Sequence, residues 1–225
     1  MKLKSFGCSF IFGNDLGDDG FHLDYPSPSE LTWPALIAKQ IGIDYQCFAT
    51  PGCGNLHILQ EVLKHSAVDN GQNVFVIGWT WIERFDYIDA DSDTDWRDPW
   101  ETICPVSESA QAKLYYRNFH SELLDKFKTL VSIYTAIETL KQKNIPFFMT
   151  YMDDLILDKT CHAPLYVTDL QNKVLPYLNS FNGQTFLEWS KNNNFPISSS
   201  YHPLELAHTK AADFLLPAVK SIIKV

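Results

Sequence analysis

Three groups of residues in this chain have the types and spacing to do chemistry together. Ser9 stands in Gly7-Cys8-Ser9, directly after an apolar N-terminal segment. A serine is a weak nucleophile until a neighbouring base takes its proton. His202, followed by Pro203, is the candidate base. The third group is the turn Thr50-Pro51-Gly52-Cys53-Gly54-Asn55, where the Gly52 N–H and the Asn55 side-chain amide are candidate donors to an oxyanion. The chemistry such a set supports is acyl transfer: Ser9 attacks an ester carbonyl, His202 takes and returns the proton, and the N–H groups of Ser9 and Gly52 hold the charge. Each group also has a plainer use. A serine after a strand caps helices, a Gly-Asn turn does the same, and a histidine before a helix can simply face water.

Two strands and two turns must bring these residues to one place. Leu3 to Phe6 reads as a short buried strand that delivers Ser9 at its carboxyl end. Residues 31–41 show helical spacing with Gly42 as the stop. Ile43 to Phe48 reads as a second strand, ending at the Gly52 turn, which opens a helix to about Lys64. Val74 to Ile77 is a continuous apolar run, as in a central strand covered on both faces. Lys113 to Lys143 reads as one long helical pattern or a broken one. Ile145 to Tyr151 is a fourth strand, ending in Asp153-Asp154. Leu204 to Ile223 is helical, with Pro217 as a start or kink. Strands alternating with helices imply a mostly parallel sheet in a three-layer α/β/α arrangement, flavodoxin-like in kind. Ligands then sit beyond the carboxyl ends of the strands. The expectation is one domain over residues 1–225, with an acidic, aromatic insertion at about 79–112.

Composition narrows the partners. The net charge is −9, and the 18 Lys and Arg form no cluster that would track a phosphate backbone, which argues against nucleic acid. No apolar run approaches the ~20 residues that span a bilayer. The N-terminus shows no secretory signal, so the cytoplasm is expected. Five cysteines, at 8, 47, 53, 104 and 161, make neither a disulfide framework nor a Cys-x-x-Cys knuckle. A metal site from Cys8, Cys53, His57 and His202 matches no standard zinc spacing, and no metal or organic cofactor is expected.

The Gly-Cys-Ser-Phe block resembles the first block of the SGNH/GDSL hydrolases. Trp33-Pro34-Ala35-Leu36-Ile37-Ala38 looks like the helix that follows it in many microbial and viral members. Ala49 to Asn55 is similar to the second block, whose glycine supplies an oxyanion N–H. Tyr201-His202-Pro203 to His208 looks like the last block. The resemblance runs from residue 5 to about 220, specific at both ends and poor in the middle. It implies the SGNH α/β/α fold and a serine esterase acting on a small-molecule or carbohydrate (acetyl-type) ester. Ser9 and His202 would be catalytic, with Gly52 and Asn55 at the oxyanion.

Two departures bear on mechanism. Thr80 stands where the family's third block has an asparagine donor, and Ser199 stands where it has the aspartate that orients the histidine. Asn55 or the Thr80 hydroxyl would have to cover the first loss. For the second, the expectation is a Ser–His dyad without a carboxylate, with Asp153 and Asp154 as the candidate substitutes. Arg84 is either a structural ion-pair partner or a binder of an anionic substrate group. The Trp-rich insertion is core or a sugar-stacking wall. The competing reading is an SGNH-fold binding or assembly protein without activity, because fold does not imply function. Oligomeric state is not legible.

Overall fold

Val74–Trp79 (β3), buried at every position, is the centre of the sheet. Its unbroken apolar run leaves no polar face for water, so helices must cover both sides. The structure, a computed structural model, describes residues 1–18, 27–88 and 99–223. Lys2–Phe6 (β1) and Phe147–Tyr151 (β6) flank β3; Asp44–Cys47 (β2) and the two-residue Leu178–Asn179 (β7) form the edges. The order is β2-β1-β3-β6-β7, with every neighbouring pair parallel. The edge strand β2 is correspondingly the polar, half-buried one.

Trp33–Ile41 (α2) packs with Glu205–Ile222 (α8), and Asn55–Ala67 (α3) packs with Glu122–Gln142 (α5). These pairs cover the sheet in a three-layer α/β/α arrangement, as expected. The long helical pattern is broken: Ala110–Asn118 (α4) ends before α5, whose N-cap Ser121 accepts from Leu124 N–H. The expected acidic, aromatic insertion contains an antiparallel hairpin, Phe85–Ile88 (β4) and Trp100–Ile103 (β5), with Phe85 opposite Ile103. Its tip lies outside the described residues. Pro217 lies inside α8 rather than at its start. Leu165–Val174 (α6) and Phe186–Asn192 (α7) were not anticipated, although Pro164 precedes the first and Thr185-x-x-Glu188 forms a capping box on the second. Among the described residues, no helix is long and apolar enough to cross a membrane.

The chain leaves β1 towards β2, then returns past β1 to β3 and continues to β6 and β7. Winding therefore reverses between β1 and β3. In such sheets the crevice beyond the carboxyl ends at the reversal is where ligands fit. Ser9 follows β1 there, and Thr80 follows β3.

Candidate active site

Ser9 is the first residue of a single helical turn, Ser9–Phe12 (α1). Ile11 and Phe12 donate to the Cys8 carbonyl at 3.0 Å each, and Gly13, at φ 94°, closes the turn on the Ser9 carbonyl at 2.8 Å. The N–H groups of Ser9 and Phe10 meet no acceptor among the described residues, as expected at a helix start. The backbone runs tight here. A Cβ on Gly7 would come 2.6 Å from Ile11 Cγ1 and 2.9 Å from the Gly78 carbonyl, so only glycine fits.

The second donor turn is fastened to the first. Thr50 N–H and the Cys53 thiol both donate to the carbonyl of Gly7, at 3.0 and 3.3 Å. Cys53 N–H closes a four-residue turn on Thr50 at 3.2 Å, with Pro51 second and Gly52, at φ 80°, third. A positive φ at that position favours glycine. The Gly52 N–H also finds no acceptor among the described residues. Two turns with unclaimed donors thus lie side by side.

His202 comes to the same place from the other end of the chain. Its ring packs edge-on against Phe10, the residue after Ser9, with centroids 5.5 Å apart. Its loop is closed by Ser198 N–H to the His202 carbonyl (2.9 Å) and His202 N–H to the Ser198 hydroxyl (3.1 Å), with Tyr201 at φ 67°. The Ser9 hydroxyl makes no hydrogen bond among the described residues. In active sites of this kind, nucleophile–base hydrogen bonds often form only in the complex with substrate.

The expectation of a histidine without a carboxylate is overturned. His202 Nδ1 lies 2.7 Å from Asp15 Oδ2. The carboxylate comes from the loop that follows Ser9, six residues on. The same oxygen accepts the Ser198 hydroxyl at 2.6 Å and the Ser200 hydroxyl. Burial alone would raise the Asp15 pKa. The hydrogen bonds from Ser198, Ser200 and His202, with the His202 charge, bring it down to about 2. An ionised Asp15 requires the hydrogen on Nδ1, which leaves the Nε2 lone pair free to accept a proton. Asp153 and Asp154 are elsewhere. Asp153 accepts from Ile82 and Leu155 N–H at 3.0 Å each, capping the short 3₁₀ turn Asp154–Ile156, and Asp154 shares a hydrogen bond with Glu188.

Asn55 is corrected as well. Its Nδ2 donates to the Thr80 carbonyl and Thr129 hydroxyl at 3.1 Å each, with the Trp81 carbonyl at 3.4 Å, and its Oδ1 accepts Thr80 N–H at 2.8 Å. With 4 % of its surface exposed and both amide hydrogens committed, it is a strut between α3, α5 and the exit of β3, not a free oxyanion donor. The Thr80 hydroxyl is fully buried and has no hydrogen-bond partner among the described residues.

Arg84 donates to the Cys53 carbonyl at 2.8 Å and lies over the Trp81 ring, 4.9 Å from its centre. Trp81 in turn meets Phe10 edge-on at 5.6 Å. Trp79 is fully buried core, while Trp96 lies outside the described residues. Cys8 donates to Met152 sulfur at 3.6 Å, and His57 stacks on Trp100 at 5.5 Å. Among the described residues, no three His, Cys, Asp or Glu are arranged to hold a metal.

The last block's second histidine has a structural use. His208 Nδ1 accepts Trp33 N–H at 3.1 Å, and its ring also bonds the Pro203 backbone. Proline has no N–H, so the acceptor is its carbonyl and the ring hydrogen sits on Nε2. His208 therefore ties the His202 loop to the start of α2. Glu205 reaches Gly17 N–H at 2.9 Å and so fixes the loop that carries Asp15.

No family model matches the chain, and no curated protein matches it in sequence. Solved structures do match in fold. The psychrotrophic esterase EstA from Pseudoalteromonas sp., in a form inhibited by monoethylphosphonate, superposes with a TM-score of 0.55 at 10 % identity, over 98 % of this chain and 97 % of that one. TesA gives 0.53 at 13 %, over 99 % and 100 %. A lipolytic G-D-S-L family protein from Veillonella parvula gives 0.51 at 11 %, over 96 % and 97 %. The fold is that of the G-D-S-L lipolytic proteins.

Proposed function

We propose that the protein is a serine ester hydrolase acting on a small-molecule or carbohydrate ester through an acyl-enzyme. Ser9 Oγ attacks the carbonyl carbon while His202 Nε2 takes its proton. The tetrahedral oxyanion is held by the N–H groups of Ser9 and Gly52. The C–O bond to the alcohol breaks as His202 returns the proton to that oxygen. Water then attacks the acyl-Ser9 carbonyl with His202 again as base, releasing the acid and restoring Ser9. Asp15 keeps the imidazole in the required tautomer and offsets its charge. The observation that carries this reading is the 2.7 Å Asp15–His202 contact against the turn that begins with Ser9. The fold neighbours named as esterases support it.

The experiment is reaction with a fluorophosphonate and mapping of the adduct, together with p-nitrophenyl acetate turnover. Labelling at Ser9, abolished in Ser9→Ala together with turnover, is the expected result; no label on the intact protein would refute it. A non-catalytic binding protein is the alternative. The committed Asn55 amide and the Thr80 substitution favour it, because they leave the oxyanion two backbone donors without a side-chain amide.

A further inference from the structure

We propose that the β4–β5 hairpin is a clamp that sets the oxyanion turn, with Asp86 and Arg84 as positioning residues for the esterase chemistry; this rests on the reading of the site given above. The N-cap of α3 is Gly54, which has no side chain to satisfy the exposed N–H groups behind it. Asp86, on β4, supplies the missing cap from another part of the chain. Its Oδ2 accepts the N–H groups of Leu56 and His57 at 3.0 Å each, the two donors a local cap would take, and its Oδ1 accepts Gly54 N–H at 2.7 Å. Thr102, across the hairpin on β5, donates to the same carboxylate at 2.6 Å. The fit leaves no slack: a Cβ on residue 54 would stand 2.5 Å from Asp86 Oδ2. Arg84 holds the preceding carbonyl, that of Cys53, and Trp100 of β5 stacks on His57. Three side chains of the hairpin segment, Asp86, Arg84 and Trp100, therefore grip residues 53–57, with Thr102 steadying Asp86; these residues follow Gly52, whose N–H is the second oxyanion donor in the proposed site.

A donor must sit where the oxyanion develops, and a misplacement of about 1 Å can cost ~100-fold in rate. Asp86→Asn turns one acceptor into a donor facing N–H groups. It should speed amide hydrogen exchange at residues 54–57 and lower kcat by about 10- to 100-fold, with KM held within about twofold. Thr102→Val, a milder change that leaves the carboxylate in place, should move both readouts the same way by less. Ser121→Ala, which removes the cap of α5, is the control for a cap with no tie to the turn. It should lower the melting temperature and leave kcat unchanged. If kcat follows melting temperature whichever cap is removed, or if the Asp86→Asn protein turns over at the wild-type rate, the clamp is only structural and the proposal fails. A wild-type protein that takes no label at Ser9 overturns the esterase reading, and with it the clamp's catalytic role. A labelled wild type with fully active variants overturns the clamp alone.

Discussion

Asp15 offers the sharpest test, because the structure ranks two of its variants in an unusual order. The contacts from His202 Nδ1, Ser198 and Ser200 all converge on Oδ2. In Asp15→Asn an amide nitrogen at that position would donate to Nδ1 and drive the ring hydrogen to Nε2, where the base is needed. In the serine-protease example the same replacement costs about 10⁴-fold in kcat, partly through the wrong tautomer. The Asp15 side chain here is 30 % exposed, so water softens its charge and the loss should be about 10²- to 10⁴-fold. Asp15→Ala removes the acceptor without adding a donor. The Ser200 hydroxyl, 3.1 Å from Nδ1, remains to accept the ring hydrogen and keep the tautomer. The alanine variant should therefore retain more activity than the asparagine one. The assay is kcat/KM for p-nitrophenyl acetate near neutral pH, with circular dichroism to show that both variants fold. If both stay within about threefold of wild type, Asp15 takes no part in catalysis, on the scale set by that example.

Asn55→Ala should act on folding: it orphans Thr80 N–H and the Thr80 carbonyl, at about 1–3 kcal/mol per buried group. Chemical denaturation should show that loss with kcat changed less than about tenfold, whereas a ~100-fold fall in kcat at unchanged stability would return Asn55 to the oxyanion hole. Burial holds the His208 pKa, ordinarily 6.5, down at about 3, so between these values the unfolded chain binds one more proton than the folded one. Stability should fall as pH drops through that window, by at most about 1.4 kcal/mol per pH unit from this group, and His208→Gln should flatten the slope of denaturation midpoint against pH. Asp154 is raised to about 6 by burial, by its hydrogen bond to Glu188 and by the charges of Glu188 and Asp153. Its protonated form stabilises the fold at low pH, and that contribution is lost as pH rises from 3.8 to about 6. Asp154→Asn should therefore raise the melting temperature near neutral pH and change it little at about pH 4; equal shifts at both would disprove the assignment.

What the chain disclosed on reading follows from the range of its interactions. Val74 to Ile77, the Gly7 turn and the Gly52 turn are set by local pattern and local sterics, and the structure places them where the pattern does. The α/β/α layering follows from the same alternation. Asp15 carries no such signal. It is one of several acids in a polar loop, and its role exists only because Ser198 to His202 folds over it. Asp86 was hidden for a related reason, since a cap is normally sought beside its helix and this one arrives from a hairpin in a stretch without clear periodicity. Asn55 was read as a cap or a donor because both uses are local, whereas its partners are 25 to 74 residues away. Helix α7 went unread although Thr185 and Glu188 carry its capping signal.

The contact between Asp15 and His202 closes 187 residues of chain. Drawing the ends of such a loop together costs on the order of 5 kcal/mol of chain entropy, a debt that packing across the intervening sheet must offset beforehand. Under the proposed mechanism, Ser9 therefore leaves the ribosome long before its base is made, and a nascent chain holding only β1, β2 and β3 would carry Ser9 as an inert alcohol. The proposed activity would then appear only once α8 docks on α2 and the loop before it brings the imidazole to Asp15. Gain of labelling at Ser9 during refolding would thus time the meeting of the two distant segments that carry Asp15 and His202.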